Sequence, residues 1–212
     1  MDPQEIYRYT VDGDPPKVKE STQQALAQGV APEEIIGKCL IPAMAEVGML
    51  FERNEYFLPE MLASALAMRE ALAIVKPLLT ESSDLSVGRV VIGTVRGDMH
   101  DIGKNMVSMM MEGAGIEVVD LGVDVSPDEF VAAVKSKQPQ VVGLSALLSN
   151  TMQEMKVTIQ ALEAAGVRQG VKVIVGGAPV TQEFADSIGA DAYAPDASSA
   201  ARKSKDLIQV HG

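Results

Sequence analysis

The 212-residue chain reads as an α + α/β protein: an N-terminal helical bundle, then a doubly wound domain on a five-stranded parallel sheet. Three observations predict this. Residues 3 to about 80 carry helical periodicity broken by turn signals, with no strand pattern among them. Glu81-Ser82-Ser83-Asp84-Leu85-Ser86 is polar and aperiodic, as a connector would be. After it, short apolar runs alternate with amphipathic segments, the pattern of a parallel sheet covered by helices. The expected division is a helical bundle over 1–83, a linker over 84–88 and the sheet domain over 89–212.

In the first part, the breaks fall at Asp12-Gly13-Asp14-Pro15-Pro16, at Gly29-Val30-Ala31-Pro32 and at Arg53-Asn54-Glu55, leaving roughly four helices. Pro32, followed by Glu33 and Glu34, marks a helix start and places negative charge at its N-terminus. Pro42 falls inside the third helix and must kink it or end its regular ladder. The next helix opens near Leu58-Pro59-Glu60. Along it Met61, Ala65, Met68, Leu72, Val75 and Leu79 recur at spacings of four and three, forming one buried stripe.

In the second part the strands read as Arg89 to Val95, Glu117 to Leu121, Val141 to Ser145, Val171 to Val175 and a weaker Asp191 to Tyr193. Ser126-Pro127-Asp128-Glu129 is a capping box with proline at the first helical position, and Thr181-Gln182-Glu183 is a second helix start. Five strands in this alternation suggest a flavodoxin-like order, with ligands at the carboxyl ends of the strands.

Composition narrows the chemistry. Lys+Arg 18 against Asp+Glu 29 gives a net charge of -11 without any basic run, which argues against a nucleic-acid partner. One cysteine excludes an intramolecular disulfide and fits a reducing cytoplasm, and with two histidines it cannot make a zinc site of the usual spacing. The N-terminus has no signal-peptide pattern, and no apolar stretch reaches membrane-spanning length, so neither export nor a membrane partner is expected.

The chemically loaded stretch is Gly97-Asp98-Met99-His100-Asp101-Ile102-Gly103, between the first strand and its helix. It gathers an imidazole, two carboxylates and two glycines; the other histidine, His211, is penultimate in the chain. If the topology holds, this loop shares one rim with Ser145-Ala146-Leu147 through Ser149 and Thr151, and with Gly176-Gly177. The three pieces supply a metal-capable imidazole, hydroxyls and bare backbone that a bulky ligand can approach. Thr151 has a second reading, because Thr151-Met152-Gln153-Glu154 is also a capping box.

Asp98-x-His100-x-x-Gly103, with Ser145-x-Leu147 and Gly176-Gly177, resembles the cobalamin-binding signature of methionine synthase and of the corrinoid proteins of methyltransferase systems. The segment from Val47 to Pro59 resembles the helical cap of the methyl-transferring branch. The resemblance implies a corrinoid cofactor that cycles between Co(I) and methylcobalamin, with His100 as the lower axial ligand to cobalt and Asp98 bonded to its far nitrogen. Thr151 stands where methionine synthase has the serine that completes this relay. Gly97, Met99, Asp101, Ile102 and Ser149 would line the cofactor with them; Ser145 and Leu147 would line the slot for its displaced nucleotide tail; Gly103, Gly176 and Gly177 would give it room. Phe51 and Leu58 match cap residues that shield the methyl group. The implied activity is methyl carriage between a donor-specific methyltransferase (methylamine, quaternary amine, methanol or aryl methyl ether class) and an acceptor methyltransferase using tetrahydrofolate or a thiol. A reductive activase is a further implied partner, and the chain is not expected to catalyse alone.

Rival readings meet specific obstacles. A cobalamin-dependent sensor places a DNA-binding module before a similar cap, for which the N-terminal segment is short and the charge balance wrong. Mutase subunits lack such a cap. A flavodoxin needs a hydroxyl-rich phosphate loop after the first strand, and a receiver domain needs an aspartate where this chain has Ser145.

Overall fold

The computed structural model describes residues 4–79 and 86–211, the His211 side chain excepted. Most of the stretch read as a connector, residues 81–85, therefore lies outside the described residues, as do 84 and 85 of the expected linker. The chain forms two compact units, Met1–Leu85 with Gly113–Gly115, and Ser86–Glu112 with Ile116–Gly212. No described helix is long and apolar enough to cross a membrane.

The first unit is helical: α1 (Gln4–Val11), α2 (Pro15–Ala27), α3 (Pro32–Ile35), α4 (Ile41–Glu52) and α5 (Leu58–Val75). The turn between α1 and α2 runs through Gly13 at φ +65°, where a Cβ would lie 2.7 Å from the Ala63 Cβ. Asp14 then caps α2 by accepting the Lys17 N–H at 3.1 Å. Pro42 does interrupt the ladder. Residues Ile36–Leu40 form a wide π turn between α3 and α4, and the Ile41 N–H reaches back to the Ile36 carbonyl. Proline has no N–H to give and its ring crowds the carbonyl four residues earlier, so a wider turn relieves both problems.

α4 closes with Asn54 in the left-handed region at φ +58°, a conformation asparagine tolerates. At the start of α5, the Glu60 carboxylate accepts the Phe57 N–H at 3.0 Å. The stripe Met61, Ala65, Met68, Leu72 and Val75 is buried. Leu79 falls outside the helix, because Pro77 converts the end of α5 into a 3-10 turn at Lys76–Leu78.

The second unit holds β1 (Arg89–Thr94), β2 (Glu117–Asp120), β3 (Val141–Ser145), β4 (Lys172–Gly176) and β5 (Ala192–Ala194). Its helices are α6 (Ile102–Gly113), α7 (Pro127–Lys137), α8 (Gln153–Ala164), α9 (Gln182–Ser187) and α10 (Ala197–His211). All strands are parallel in the order β2-β1-β3-β4-β5. Each lies within one residue of its expected place. The apolar runs of β1, β3 and β4 are buried along nearly their whole length, as strands covered on both faces must be. Ser126 and Glu129 form the expected capping box, and Thr181 caps α9 by accepting the Phe184 N–H at 3.2 Å.

The register places the site. Thr94 pairs with Ser145, Ser145 with Gly176 and Gly176 with Ala194. The carboxyl ends of β1, β3, β4 and β5 therefore finish in one row, and the loops that leave them share a rim.

Candidate functional site

The loop after β1 is held from several sides. Val95 N–H donates to the Ser145 carbonyl at 3.0 Å, and the Thr94 hydroxyl donates to the His100 carbonyl at 3.0 Å. Gly97 takes φ +80°, which turns the chain so that Asp98 points into the protein. Asp98 is fully buried, while the His100 side chain is half exposed.

A buried carboxylate is costly unless its oxygens are satisfied. Here Oδ1 accepts the His100 N–H at 3.0 Å and the His100 Nδ1–H at 2.7 Å. Oδ2 accepts the Thr151 hydroxyl at 2.6 Å and the N–H groups of Leu147 and Leu148 at 2.8 and 3.4 Å. Burial pushes the Asp98 pKa up, but hydrogen bonds from the Thr151 hydroxyl, the His100 and Leu147 N–H groups and the His100 imidazole outweigh it. The carboxyl is held well below the usual carboxylate range.

An ionised Asp98 is an acceptor only, so Nδ1 carries a proton, and in the neutral ring Nε2 presents its lone pair. Among the described residues Nε2 makes no hydrogen bond, and it lies on the exposed side of a ring whose other nitrogen is fixed. This is the carboxylate–histidine arrangement that orients an imidazole toward a metal.

Thr151 joins this cluster and does not cap α8. Its hydroxyl is spent on Asp98 and the Leu148 carbonyl, and the residue at the cap position of α8, Met152, has no side-chain hydrogen bond to offer. An ionised carboxylate is the stronger acceptor, and here it lies at 2.6 Å.

The other expected residues are distributed around this centre. Met99 and Ile102 flank His100 with 67% and 73% of their surfaces exposed, and the Leu147 side chain is exposed as well. Asp101 sits at the start of α6 and accepts from the Asn105 side chain at 3.1 Å. Gly103 lies in the first turn of α6 with open space where a Cβ would be. Ser145 is half-buried at the end of β3, and Ser149 is exposed and takes no part in the cluster's hydrogen bonds. Gly177, at φ +136°, backs onto Ala146: a Cβ there would lie 1.8 Å from the Ala146 carbonyl oxygen, while one on Gly176 would lie 3.0 Å from that of Ala194. Phe51 and Leu58 belong to the helical unit, near the end of α4 and at the start of α5; Phe51 is half-buried, whereas Leu58 is exposed, as are Met49 and Phe57.

Sequence reasoning passed over three contributors. Leu148 adds a backbone donor to Asp98. Lys104 is buried one residue after Gly103 and ion-pairs with Asp120, also donating to Asn105 at 2.8 Å. Asp124 accepts the Gly97 N–H at 2.6 Å. The signal for the last two was present: Asp120-Leu121-Gly122-Val123-Asp124 places two carboxylates at the end of β2, on the same edge as the site.

A bulky, metal-bearing macrocycle fits these residues. Among the described residues no group of three or more His, Cys, Asp or Glu could hold a metal ion. A metal met by Nε2 would therefore bring most of its other ligands with it. Exposed apolar side chains around His100, and a helical glycine that no described residue crowds, are what a large, partly apolar ligand would explain.

Comparison with known proteins points the same way. A family model described as a B12 binding domain matches residues 88–202, and a second model of that description matches residues 4–76. The chain is 45% identical to dimethylamine corrinoid protein 3 of Methanosarcina acetivorans, across 91% of this chain and 90% of that protein. It is also 45% identical to the trimethylamine corrinoid protein of Methanosarcina barkeri, across 94% and 93%. Among solved structures it resembles the methanol:cobalamin methyltransferase complex MtaBC from Methanosarcina barkeri. The TM-score is 0.88 at 30% identity, with 98% of this chain and 79% of that chain covered.

Proposed function

The chain belongs to the B12-binding family, and from that premise we propose that it is a corrinoid protein carrying a methyl group between two methyltransferases. When bound, the corrinoid supplies a cobalt centre that accepts and then gives up the methyl group. The observation that carries the reading is the half-exposed imidazole of His100, fixed through Nδ1 and, among the described residues, without a hydrogen bond at Nε2 or a cluster of three or more side chains that could hold a metal ion.

The chain's own residues divide the work. His100 would hold the cobalt through Nε2. Asp98 fixes the ring's tautomer and orientation, and Thr151 with the Leu147 N–H fixes Asp98. Met99, Ile102 and Leu147 would exclude water around His100, and Ser145 and Ser149 with Gly176 and Gly177 would line the cleft for the cofactor's tail; for Phe51 and Leu58 the shielding role rests on the resemblance alone.

The donor methyltransferase is assigned to the methylated-amine class. Identity of 45% to the dimethylamine and trimethylamine corrinoid proteins, against 30% to the methanol complex, supports that choice. The second partner is a tetrahydrofolate- or thiol-using methyltransferase, with a reductive activase to restore the carrier. We assign the chain to the cytoplasm, in keeping with a single, buried Cys39. The two compact units support a helical cap over 1–83, a linker over 84–88 and a cobalamin-binding domain over 89–212.

Reconstitution with hydroxocobalamin tests the site. The purified protein should take up a single corrinoid and show a base-off, histidine-ligated spectrum, which His100→Ala abolishes. A colourless protein, or a His100→Ala spectrum unchanged from wild type, refutes the axial role. Protein loaded with methylcobalamin should be demethylated by an acceptor methyltransferase. Demethylation by none, with a light-dependent change of oligomeric state, would point to a sensor.

A further inference from the structure

We propose that Asp124 is a positioning residue for the Asp98–His100 pair, acting by holding both ends of the Gly97–Asp98 dipeptide. Its carboxylate Oδ1 accepts the Gly97 N–H at 2.6 Å, and its own N–H donates to the Asp98 carbonyl at 3.0 Å. The proposal rests on the corrinoid reading for its consequence, but its geometry stands in the protein alone.

Asp124 is one of three described residues other than glycine with positive φ, at +54°. Such a conformation costs free energy and persists only where the surroundings impose it. Here it aims the N–H at Asp98 and the carboxylate at Gly97 in the same residue. Among the described residues the loop after β2 meets the end of β1 and the loop that follows it through five bonds: Leu121 N–H to the Ile92 carbonyl (2.8 Å), Thr94 N–H to the Gly122 carbonyl (3.0 Å), Val125 N–H to the Thr94 carbonyl (2.9 Å), Asp124 N–H to the Asp98 carbonyl (3.0 Å), and Gly97 N–H to the Asp124 carboxylate. Only the last uses a side chain, so only it can be removed by substitution.

It matters because Asp98 has little slack. The Asp98 N–H is spent on the Val95 carbonyl at 3.1 Å and its carboxylate bonds run between 2.6 and 3.4 Å. Freeing the Gly97 N–H releases the Arg96–Gly97 peptide at the N-terminal end of the dipeptide, leaving Asp98 held from that side only by its own N–H to the Val95 carbonyl, and the carboxylate then loses its fixed line to His100 Nδ1. The imidazole is left to sample both tautomers, and in one of them Nε2 carries the proton and cannot bind a metal.

The ring tautomer can be read without any cofactor. The chain has two histidines, so 15N spectra of the corrinoid-free protein show two imidazoles, and a His211→Gln variant assigns them. In wild type at a pH where the rings are neutral, His100 should be the Nδ1–H tautomer. Asp124→Ala and Asp124→Gly should both give mixed tautomers and about tenfold weaker hydroxocobalamin binding, the low end for partners behind a metal ligand. Asp124→Asn keeps the acceptor oxygen and tolerates positive φ, and should match wild type in both. Wild-type spectra and affinity in the alanine and glycine variants overturn the proposal. So does a wild-type glycine variant beside a disturbed alanine one, which would assign the effect to backbone conformation, or an asparagine variant that behaves like alanine. Should the alanine variant fail to fold by circular dichroism, the glycine and asparagine variants decide alone. Tautomer changes in protein that binds no corrinoid would uphold the positioning role and refute the corrinoid reading.

Discussion

Replacing Asp98 by asparagine keeps the size of the side chain and changes what its two ends can do. Five donors converge on the carboxylate, two on Oδ1 and three on Oδ2. An amide has one oxygen, so one set of donors must face an NH2 group. Turning the oxygen toward Leu147, Leu148 and Thr151 satisfies the larger set. The NH2 then faces His100, whose backbone N–H loses its acceptor while Nδ1 must change from donor to acceptor. That forces the proton to Nε2, the atom assigned to cobalt.

The magnitudes follow from that count. One unmatched donor costs roughly 1–3 kcal/mol. The bonds kept on the other side lose their charge assistance, worth about 1 kcal/mol each, offset in part because a neutral amide is cheaper to bury. A net loss of about 2–4 kcal/mol is expected, or roughly 4–15 °C in midpoint for a chain of this size. Thermal unfolding of the corrinoid-free protein measures it, with the ring-nitrogen spectrum and the hydroxocobalamin spectrum as companions. The folded pKa of Asp98 is depressed, so the stability from its ionisation is present above the ordinary value of 3.8 and is lost as pH falls through the folded value. The gap between wild type and Asp98→Asn should therefore be constant near neutral pH and narrow as pH drops below 3.8. An asparagine variant with wild-type midpoint, Nδ1–H tautomer and histidine-ligated spectrum would refute the reasoning.

Three further outcomes follow from the geometry. Gly177→Ala would set a Cβ 1.8 Å from the Ala146 carbonyl oxygen at φ +136°, so the β3 and β4 ends must separate; a loss of about 2–4 kcal/mol in urea unfolding is expected. Thr151→Val removes the hydroxyl bonded to Oδ2 and should cost roughly 1.5–3 kcal/mol by the same measurement, whereas Thr151→Ser should recover most of it. Gly103→Ala separates folding from binding: with open space at that position the corrinoid-free protein should gain up to about 1 kcal/mol, while corrinoid uptake falls. Equal or tighter uptake would show that Gly103 makes no room for a ligand.

How much of this was legible in the sequence depends on whether a feature is made locally. The strands were readable because β1, β3 and β4 are covered on both faces and so appear as unbroken apolar runs. The capping box at Ser126 is contained within four residues and was readable for that reason. Pro42 announced a break, but the form of the break, a wide turn at Ile36–Leu40, depends on how the carbonyls before it are relieved. Thr151 carried two local meanings, and its neighbours in sequence could not choose between them. The choice is made by Asp98, 53 residues away in the chain, whose burial demands a donor for Oδ2. Resemblance had already paired Asp98 with His100, but its neighbours in sequence did not tell that it is buried; the register does, setting Thr94 beside Ser145 and bringing the Leu147 N–H to 2.8 Å. What the sequence could not express is therefore the state of the carboxylate. A solvated Asp98 would hold His100 loosely, whereas a buried and saturated one dictates which nitrogen faces the ligand, and that difference is set by the parallel pairing of β1 with β3.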